Sequence, residues 1–482
     1  MDIATLALIG VVIVVAALLS GVVERTRFPQ VALFLLLGLV IGVFGFGLVD
    51  FRLDSQILET IATLGLVLVL FTDAVSVDIR EVRRHRTLVR LVLGPGTLVT
   101  AALIALAAWA LLGLAAGPAA ILGAALASTD PVMMRGLLRS GDVPAAARQV
   151  LSLESGLNDL VLLPIVLGAM AVLAGSGTGN WGRAALNLFV VGPGAGIAVG
   201  FVGVVLLDRM RHWVGVRRDY ESLYALGLAF TSYALAETAH GSGFLAAFAA
   251  GLTIAASDAE LCDCFLDFGQ AAAEMFLLFT FVAFGSSLIW TGLAGITWRG
   301  LAFAALALGL RSAVLALALP RKGLDPRSRR LIVWFGPRGL STLLLVLLPV
   351  FAGVAGADRL FAPAALVVLL SVVVHGGALM LGRKPRGGGG RALPMLVQEP
   401  LPTSAEAAPV ERRDRITLAE VKELQARGDR VVLLDVRKER AWNDSDQKAR
   451  GAIRMPPDGG GAAHGAAELA LPRHDWLVAY CA

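Results

Sequence analysis

Two apolar segments of the chain carry three acidic residues that an ordinary membrane helix would exclude. The first contains the sequence STDP, from Ser128 to Pro131, and the second contains ESGLND, from Glu154 to Asp159. One carboxylate in lipid costs about 2.5–3.5 kcal/mol even on the mildest scale, so intramembrane acids usually mark ion or proton pathways. A lone Ser or Asn could simply join two helices, but three acids beside a proline predict an ion site.

The proline in STDP predicts a break in the first helix. Pro131 has no backbone N–H and disfavours helical backbone at Asp130, so carbonyl groups near Thr129 lose their helical partners. Free carbonyl groups of this kind can bind a cation at membrane depth. The Thr129 hydroxyl and the Asp130 carboxylate would lie beside them.

The second segment predicts a helix that presents a hydroxyl and a carboxylate to the same point. Ser155 and Asp159 are four residues apart and therefore lie on one face of a helix. Glu154 and Asn158 repeat this spacing about 100° further round the helix. From there they could orient the first pair.

Composition indicates a membrane protein with many spans. Hydrophobic residues make up 57% of the 482 residues and charged residues only 16%, and the mean hydropathy is +0.75. We interpret the first apolar run as an uncleaved span, because no small-residue cleavage site of convincing form follows it. Apolar runs of about 20 residues, the length that spans a bilayer, predict about thirteen helices. The runs fall near residues 3–23, 30–48, 55–74, 88–114, 118–139, 149–174, 184–207, 219–237, 240–256, 269–289, 298–319, 329–352 and 360–382.

The distribution of positive charge predicts the orientation of the spans. Basic clusters near residues 25–27, 80–86, 135–148, 209–218 and 321–330 all fall on one side. The loops on the opposite side hold only Arg52, Arg183, Arg299 and Arg359. The positive-inside rule therefore places the N-terminus outside the cell and the C-terminus in the cytoplasm. The isoelectric point near 9.4 then reflects topology and not nucleic-acid binding.

A second interrupted helix is predicted at FGPRGLS, from Phe335 to Ser341, where two glycines and a proline flank Arg338. Interrupted helices at corresponding positions of two repeats indicate a transporter site at the repeat interface. We expect two inverted units of about six helices joined by one linking helix. Arg338 could neutralise either Glu154 or the crossed helix ends.

STDP, ESGLND and the later GPRG together resemble the monovalent cation:proton antiporters of the sodium/proton exchanger type, including the NhaP-like proteins. The resemblance covers about residues 1–385. It implies an inverted-repeat fold with two discontinuous crossing helices, a homodimer and alternating access. It also implies that Asp159 is the carboxylate that holds either the cation or the proton. The other residues that it implies are the co-ligands Thr129, Asp130 and Ser155, and the supporting residues Glu154, Asn158 and Arg338.

Asp73, in the sequence LFTDAVSVD, resembles a family position that is often acidic. The resemblance allows it to be an accessory ion ligand, whereas its place near the end of a run also suits an ordinary helix-end residue. Thr72 aligns with the same family position, so the register is open by one residue.

The Asn158-Asp159 pair bears on stoichiometry, because in the resemblance Asn before Asp accompanies electroneutral exchange of one cation for one proton. If Asp159 alternately holds a proton and a monovalent cation, its loaded charge is the same in both states, and the membrane potential does no work on the cycle. Oxygen ligands suit hard cations, among which we expect Na⁺, with Li⁺ or K⁺ as alternatives. The expected function is a secondary antiporter of the cell membrane that serves pH homeostasis, a transporter without a cofactor and not an enzyme.

The chain beyond residue 383 changes in composition. Residues 384–411 are rich in Gly, Pro and small polar residues and predict a flexible linker. Residues 412–482 predict a small cytoplasmic α/β domain with strands at VVLLDVR and WLVAYCA. DVR, RGAIRMP and the strand ending at Cys481 resemble the rhodanese domain, in which loop amides cradle a persulfide on the cysteine. Because the chain stops at Ala482, we expect a truncated and inactive module.

Two other functions remain open from the sequence. A membrane-tethered sulfurtransferase or sulfur-responsive regulator would need sequence after Ala482 to form the cradle. A passive channel would not need a titrating Asp159. The sequence contains no GxxxxGK[ST] motif, so ATP-driven pumping has no visible nucleotide site.

Overall fold

The computed structural model describes residues 29–77, 82, 86–130, 133–134, 143–173, 181–214, 218–257, 263–294, 296–320 and 325–381. It also describes residues 10, 14, 15, 18, 421, 424, 426–427, 429–436, 451–454 and 476–480. The chain divides into two compact units, Met1–Gly387 and Gly388–Ala482. Most of the first apolar run, the predicted linker and Cys481 lie outside the described residues.

The first unit is built of α-helices. In chain order, the described helices begin with α1 (Gln30–Ile41), α2 (Gln56–Val75), α3 (Arg86–Leu112), α4 (Ala116–Ala127), α5 (Ala145–Leu173), α6 (Gly192–Trp213) and α7 (Arg218–Thr238). The rest are α8 (Gly243–Ala256), α9 (Asp263–Ser286), α10 (Trp298–Ala318), α11 (Pro326–Trp334), α12 (Leu340–Phe351) and α13 (Phe361–Leu381). Short helical turns at Trp181–Leu186, Leu288–Trp290, Thr291–Ala294 and Ala357–Leu360 join them, and Val92–Val99 and Asn187–Val191 are π-helical.

The described helices fit a membrane domain. Six of them are long and apolar enough to span a bilayer, or seven if the bent pair Ala271–Ser286 and Leu288–Ala294 forms one span. Four shorter apolar helices, among them α4 and α12, accompany them. The prediction of an all-α, multi-pass membrane protein is confirmed. The count of about thirteen spans and the inverted repeat stay predictions.

Helix starts follow from local capping chemistry. The hydroxyl of Ser242 accepts a hydrogen bond from the Leu245 amide at the start of α8, and Thr297 does the same for Gly300 at the start of α10. His240, with φ of 61°, stands between α7 and α8 in the left-handed region, so the chain turns there. The break predicted between these two runs is therefore present.

Small residues allow several helices to approach each other closely. Gly38 of α1 lies against the backbone of Gly285 in α9, and Gly196 of α6 lies against the backbone of Ala246 in α8. A Cβ atom at either glycine would overlap that backbone. In lipid the hydrophobic effect does not drive helices to associate, and close packing of this kind stabilises their association instead.

The second unit contains a parallel sheet. Its strands are β1 (Val431–Asp435), β2 (Ile453–Arg454) and β3 (Trp476–Tyr480), in the spatial order β2-β1-β3. The predicted strands in VVLLDVR and WLVAYCA are thus present, and Nη1 of Arg454 lies 3.9 Å from Oδ1 of the fully buried Asp435. The rhodanese resemblance stays a prediction, because Cys481 and most of the motif residues lie outside the described part of the chain.

Candidate functional site

The first helix break follows α4, which ends at Ala127. Ser128 leaves the helix with extended backbone, and Thr129 and Asp130 continue without helical structure. All three residues are buried. The interruption expected from STDP is therefore present, although Pro131 itself lies outside the described residues.

The second break separates α11 from α12 and meets the first. Residues 335–339 have no helical structure between Trp334 and Leu340. The Asp130 amide donates to the Pro337 carbonyl across 3.0 Å. The Leu340 amide donates to Oδ2 of Asp130 across 2.8 Å. Asp130 therefore places a carboxylate at the N-terminus of α12, where the helix dipole favours negative charge.

Arg338, within the second break, contacts the C-terminal end of α4. Its Nη1 donates to the carbonyl groups of Ala127, at 2.7 Å, and Ser128, at 2.9 Å. These carbonyls end α4, where the helix dipole favours a cation. Arg338 therefore contacts one of the crossed helix ends, and the neutralising role expected of it stays a prediction. Its buried Nε and Nη2 have no hydrogen-bond partner among the described residues.

Asp159 lies on α5 and is buried against the first break. Its Oδ1 accepts a hydrogen bond of 2.7 Å from the Ser128 hydroxyl, and only 5% of the residue is exposed. Thr129, Asp130 and Pro131 of STDP were predicted as site elements, whereas Ser128 was given no role. Its position beside Thr129 was the available signal.

The neighbouring residues Asn158 and Ser155 add oxygen atoms near this carboxylate. Nδ2 of Asn158 donates to Oγ1 of Thr129 across 2.8 Å, while its buried Oδ1 has no hydrogen-bond partner in the part of the chain that the structure describes. The Ser155 hydroxyl donates to the Ser152 carbonyl across 3.1 Å, which leaves its oxygen able to accept a cation or a donor. The structure thus brings STDP and ESGLND together.

Glu154 binds Arg311 of α10, a residue that was not predicted as part of the site. Arg311 donates from Nε to Oε1 at 2.7 Å and from Nη2 to Oε2 at 2.5 Å, and both residues are buried. Arg311 is thus the bidentate partner of Glu154, and the role expected of Arg338 in neutralising Glu154 stays a prediction. An arginine in the middle of an apolar run is costly unless paired, and that signal could have identified Arg311.

Arg311 also reaches the second break. Its Nη1 donates to the Ile332 carbonyl across 3.2 Å, near the end of α11. The guanidinium lies against Gly336, where a Cβ atom would be too close to it. Glu154 is therefore connected through Arg311 to the end of α11, whereas Arg338 serves the end of α4.

Asp73 lies on α2, half-buried and facing α5. A Cβ atom placed on Gly156 would be 4.0 Å from the Cβ of Asp73, so Asp73 faces the helix that carries Asp159. Thr72 instead donates its hydroxyl to the Leu68 carbonyl of its own helix at 2.7 Å. The register between Thr72 and Asp73 stays open, and the structure shows only that Asp73 approaches α5.

The two helix breaks bring several buried oxygen atoms into one region. Carboxylate, amide and hydroxyl oxygens lie where two helices are interrupted, and oxygen ligands suit hard cations. The described residues include no group of three His, Cys, Asp or Glu residues arranged to hold a metal ion. Two carboxylates, Asp130 and Asp159, supply the negative charge.

Comparison with known proteins shows similarity to membrane exchangers. Residues 11–381 match the family model for "Sodium/hydrogen exchanger, transmembrane". The chain is 26% identical over 385 residues to the K(+)/H(+) antiporter NhaP of Alkalimonas amylolytica, covering 78% of this chain and 65% of that protein. It is 27% identical over 368 residues to the K(+)/H(+) antiporter NhaP2 of Shewanella sp. strain ANA-3, covering 76% and 64%. The chain therefore spans less than two thirds of the length of these curated relatives.

Among solved structures, the chain is similar to the sodium proton antiporter MjNhaP1 from Methanocaldococcus jannaschii at pH 8. The TM-score is 0.65 at 20% sequence identity, and the match covers 78% of this chain and all of that chain. At this level of identity the similarity supports the fold alone.

Proposed function

Because the chain belongs to the sodium/hydrogen exchanger family, we propose that it is a secondary antiporter that exchanges a monovalent cation for H⁺ across the membrane. The observation that carries the proposal is the buried Asp159 carboxylate, held by Ser128 where two interrupted helices meet. A buried carboxylate in a membrane protein is costly and generally functional. Discontinuous helices that meet at such a group are typical of secondary transporters.

Asp159 is the proposed site of exchange. Its ionised carboxylate binds the cation and its protonated form carries the proton, so the two substrates compete for one group and the competition couples their movement. Asp130, Thr129 and Ser155 are the proposed co-ligands, with Asp73 as an accessory carboxylate on α2. Asn158, Glu154 and Arg338 support them.

We propose electroneutral exchange of one cation for one proton. Since a carboxylate is neutral both when protonated and when paired with a monovalent cation, the loaded site has the same charge in both directions of the cycle. The membrane potential then does no net work on transport.

The cation is proposed to be Na⁺, with K⁺ and Li⁺ as the alternatives to be compared in one assay. The two curated relatives are described as K⁺/H⁺ antiporters, whereas the structural neighbour is described as a sodium proton antiporter. The oxygen ligand set accepts either ion.

We propose that the protein is a homodimer. Each chain would have about thirteen spans in two inverted repeats, and movement of one helix bundle against the other would give alternating access. The concentration of basic residues in alternate loops supports an external N-terminus and a cytoplasmic C-terminus.

The test is proton movement in proteoliposomes with an acidic interior, on external addition of Na⁺, Li⁺ or K⁺. We expect cation-dependent alkalinisation of the interior that Asp159→Asn abolishes and that persists when the membrane potential is clamped at zero. Asp54→Asn is the matched control, since the Asp54 side chain is 77% exposed. Correctly inserted wild type that moves no protons with any of the three cations would refute the antiporter. Dependence of the rate on the clamped potential would refute electroneutrality.

A further inference from the structure

A serine of α13, Ser371, accepts a hydrogen bond from the backbone of the second helix break. The Arg338 amide donates to Oγ of Ser371 across 2.7 Å. Both residues are fully buried, with 1% and 0% of their surfaces exposed. Since a buried amide without an acceptor is costly, this contact fixes the backbone at Arg338.

A histidine one helical turn further along α13 binds the same serine. Nδ1 of His375 lies 3.2 Å from Oγ of Ser371. Nδ1 lies at the same distance, 3.2 Å, from the Ser371 carbonyl, so the tautomer decides which contact is a hydrogen bond. Because the Ser371 oxygen already accepts from Arg338, its hydroxyl proton is available for donation to Nδ1 in the tautomer that carries the ring proton on Nε2. The imidazole is 5% exposed and lies edge-on to Phe335, with the ring centroids 5.7 Å apart.

These contacts continue from Arg338 to the exchange carboxylate. Nη1 of Arg338 donates to the Ser128 carbonyl, and the hydroxyl of the same serine donates to Asp159. A continuous series of contacts thus runs from His375 through Ser371, Arg338 and Ser128 to Asp159. We call this series the α13 relay.

Building on the antiport proposed above, we propose that His375 and Ser371 are positioning residues for the exchange site, acting through Arg338 on Ser128. Neither residue touches the cation. Their role is to hold the second break so that Ser128 keeps its hydrogen bond to Asp159. The proposal assigns His375 a fixed hydrogen-bond role and no part in carrying the transported proton.

The relay requires a neutral imidazole with Nδ1 unprotonated, because a protonated ring has two donors and no acceptor for the Ser371 hydroxyl. Among the described residues, the charged groups that act on His375 are Arg338 on the break and Arg311 on α10, and Arg311 is paired with Glu154. A neutral ring therefore also avoids a third positive charge beside two guanidinium groups. Glutamine, which offers an amide oxygen as acceptor, should replace His375 in this role.

The first experiment measures transport by His375→Gln, His375→Leu, Ser371→Ala and the double variant Ser371→Ala/His375→Leu in proteoliposomes. We expect His375→Leu and Ser371→Ala to raise the cation KM about fivefold, the effect of losing one hydrogen bond, with a smaller change in kcat. His375→Gln should keep the wild-type KM and the wild-type pH profile. Because both changes interrupt the same relay, the double variant should resemble Ser371→Ala alone.

The matched control for the serine is Ser232→Ala. Ser232 is equally buried on α7, but its hydroxyl donates only within its own helix, to the Ala229 carbonyl. We expect its KM to be unchanged. Additive effects of Ser371→Ala and His375→Leu would overturn the relay, and so would a pH profile shifted by His375→Gln.

The second experiment does not depend on transport and separates failure of the relay from failure of the antiporter. Hydrogen–deuterium exchange of a peptide covering residues 335–341 is measured on purified protein in detergent. We expect faster exchange in Ser371→Ala and His375→Leu but not in His375→Gln or Ser232→Ala. Unchanged exchange in the first two variants would refute the relay, whether or not the wild type transports ions.

Discussion

The Ser128 hydroxyl donates to Oδ1 of Asp159 across 2.7 Å, and this bond joins the first helix break to the carboxylate on α5. A donor to a carboxylate stabilises its charged form and holds its orientation. The bond therefore links the backbone geometry of the break directly to the group proposed to bind the cation.

We predict that Ser128→Ala raises the cation KM about tenfold, since hydrogen bonds to charged groups contribute more than neutral ones. Cation-dependent proton movement in proteoliposomes at several cation concentrations measures this. Ser286→Ala is the control, because buried Ser286 donates only to the Ala283 carbonyl of its own helix. An unchanged KM in Ser128→Ala would show that the bond does not contribute to cation binding.

The buried pair of Glu154 and Arg311 predicts a large effect on stability when one partner is removed. Glu154→Gln leaves the Arg311 charge buried without its carboxylate, which costs about 3–5 kcal/mol. Thermal unfolding in detergent should show a clear fall in melting temperature. The double variant Glu154→Gln/Arg311→Gln should lose less stability than the two single variants added together.

A solvent-exposed ion pair provides the control for this cycle. Arg52 Nε lies 3.5 Å from Asp54 Oδ1, and the two side chains are 78% and 77% exposed. Asp54→Asn should therefore cost about 1 kcal/mol or less, because water screens that pair. Equal losses for Glu154→Gln and Asp54→Asn would contradict the importance assigned to burial.

Gly339 predicts a steric effect at the crossing itself. A Cβ atom at this position would overlap the Asp130 carboxylate, which must stay close to cap α12. We expect Gly339→Ala to displace Asp130 and abolish proton movement. Gly309→Ala on α10 should retain transport, because a Cβ at Gly309 meets nothing within 4 Å, and in a helix it should stabilise by up to about 1 kcal/mol. Wild-type transport by Gly339→Ala would refute the proposed need for this contact.

The Asp325 carboxylate lies outside the membrane-spanning segments, and its hydrogen bonds predict that the stability of the protein depends on pH. Its Oδ2 accepts from the Ser328 amide at 2.8 Å and caps α11. The backbone hydrogen bond from Ser328, which is the largest cause, holds the pKa of the Asp325 carboxyl below its usual value of 3.8. Since the folded state favours the charged form, this contribution is complete above the unfolded pKa and is lost as pH falls below about 4.

The variant Asp325→Asn separates the charge from the cap, because Asn caps helices about as well as Asp but does not titrate. We expect the wild type to melt higher than Asp325→Asn near pH 6, and the difference to shrink between about pH 4 and pH 3. Melting curves across this range measure it. A difference that stays constant with pH would show that the carboxylate charge contributes nothing.

Several features of the site could be predicted because they depend on local chemistry. A proline in STDP and two glycines with a proline in FGPRG interrupt helices wherever they stand, so both breaks were predictable. The spacing of Ser155 and Asp159 places them on one face of any helix. Composition and the length of the apolar runs predicted a membrane protein.

The contacts between the helices depended on the tertiary structure. Glu154 and Arg311 are 157 residues apart in the sequence, and Ser371 and Arg338 are 33 residues apart. Helical periodicity indicates which residues share a face but not which helix that face meets. Ser128 illustrates the same limit, since the motif placed it near the site and only the packing of α5 against the break directed its hydroxyl to Asp159. The sequence alone therefore determined where the helices break and which acids lie in the membrane. The tertiary packing determined which arginine or hydroxyl group each acid contacts.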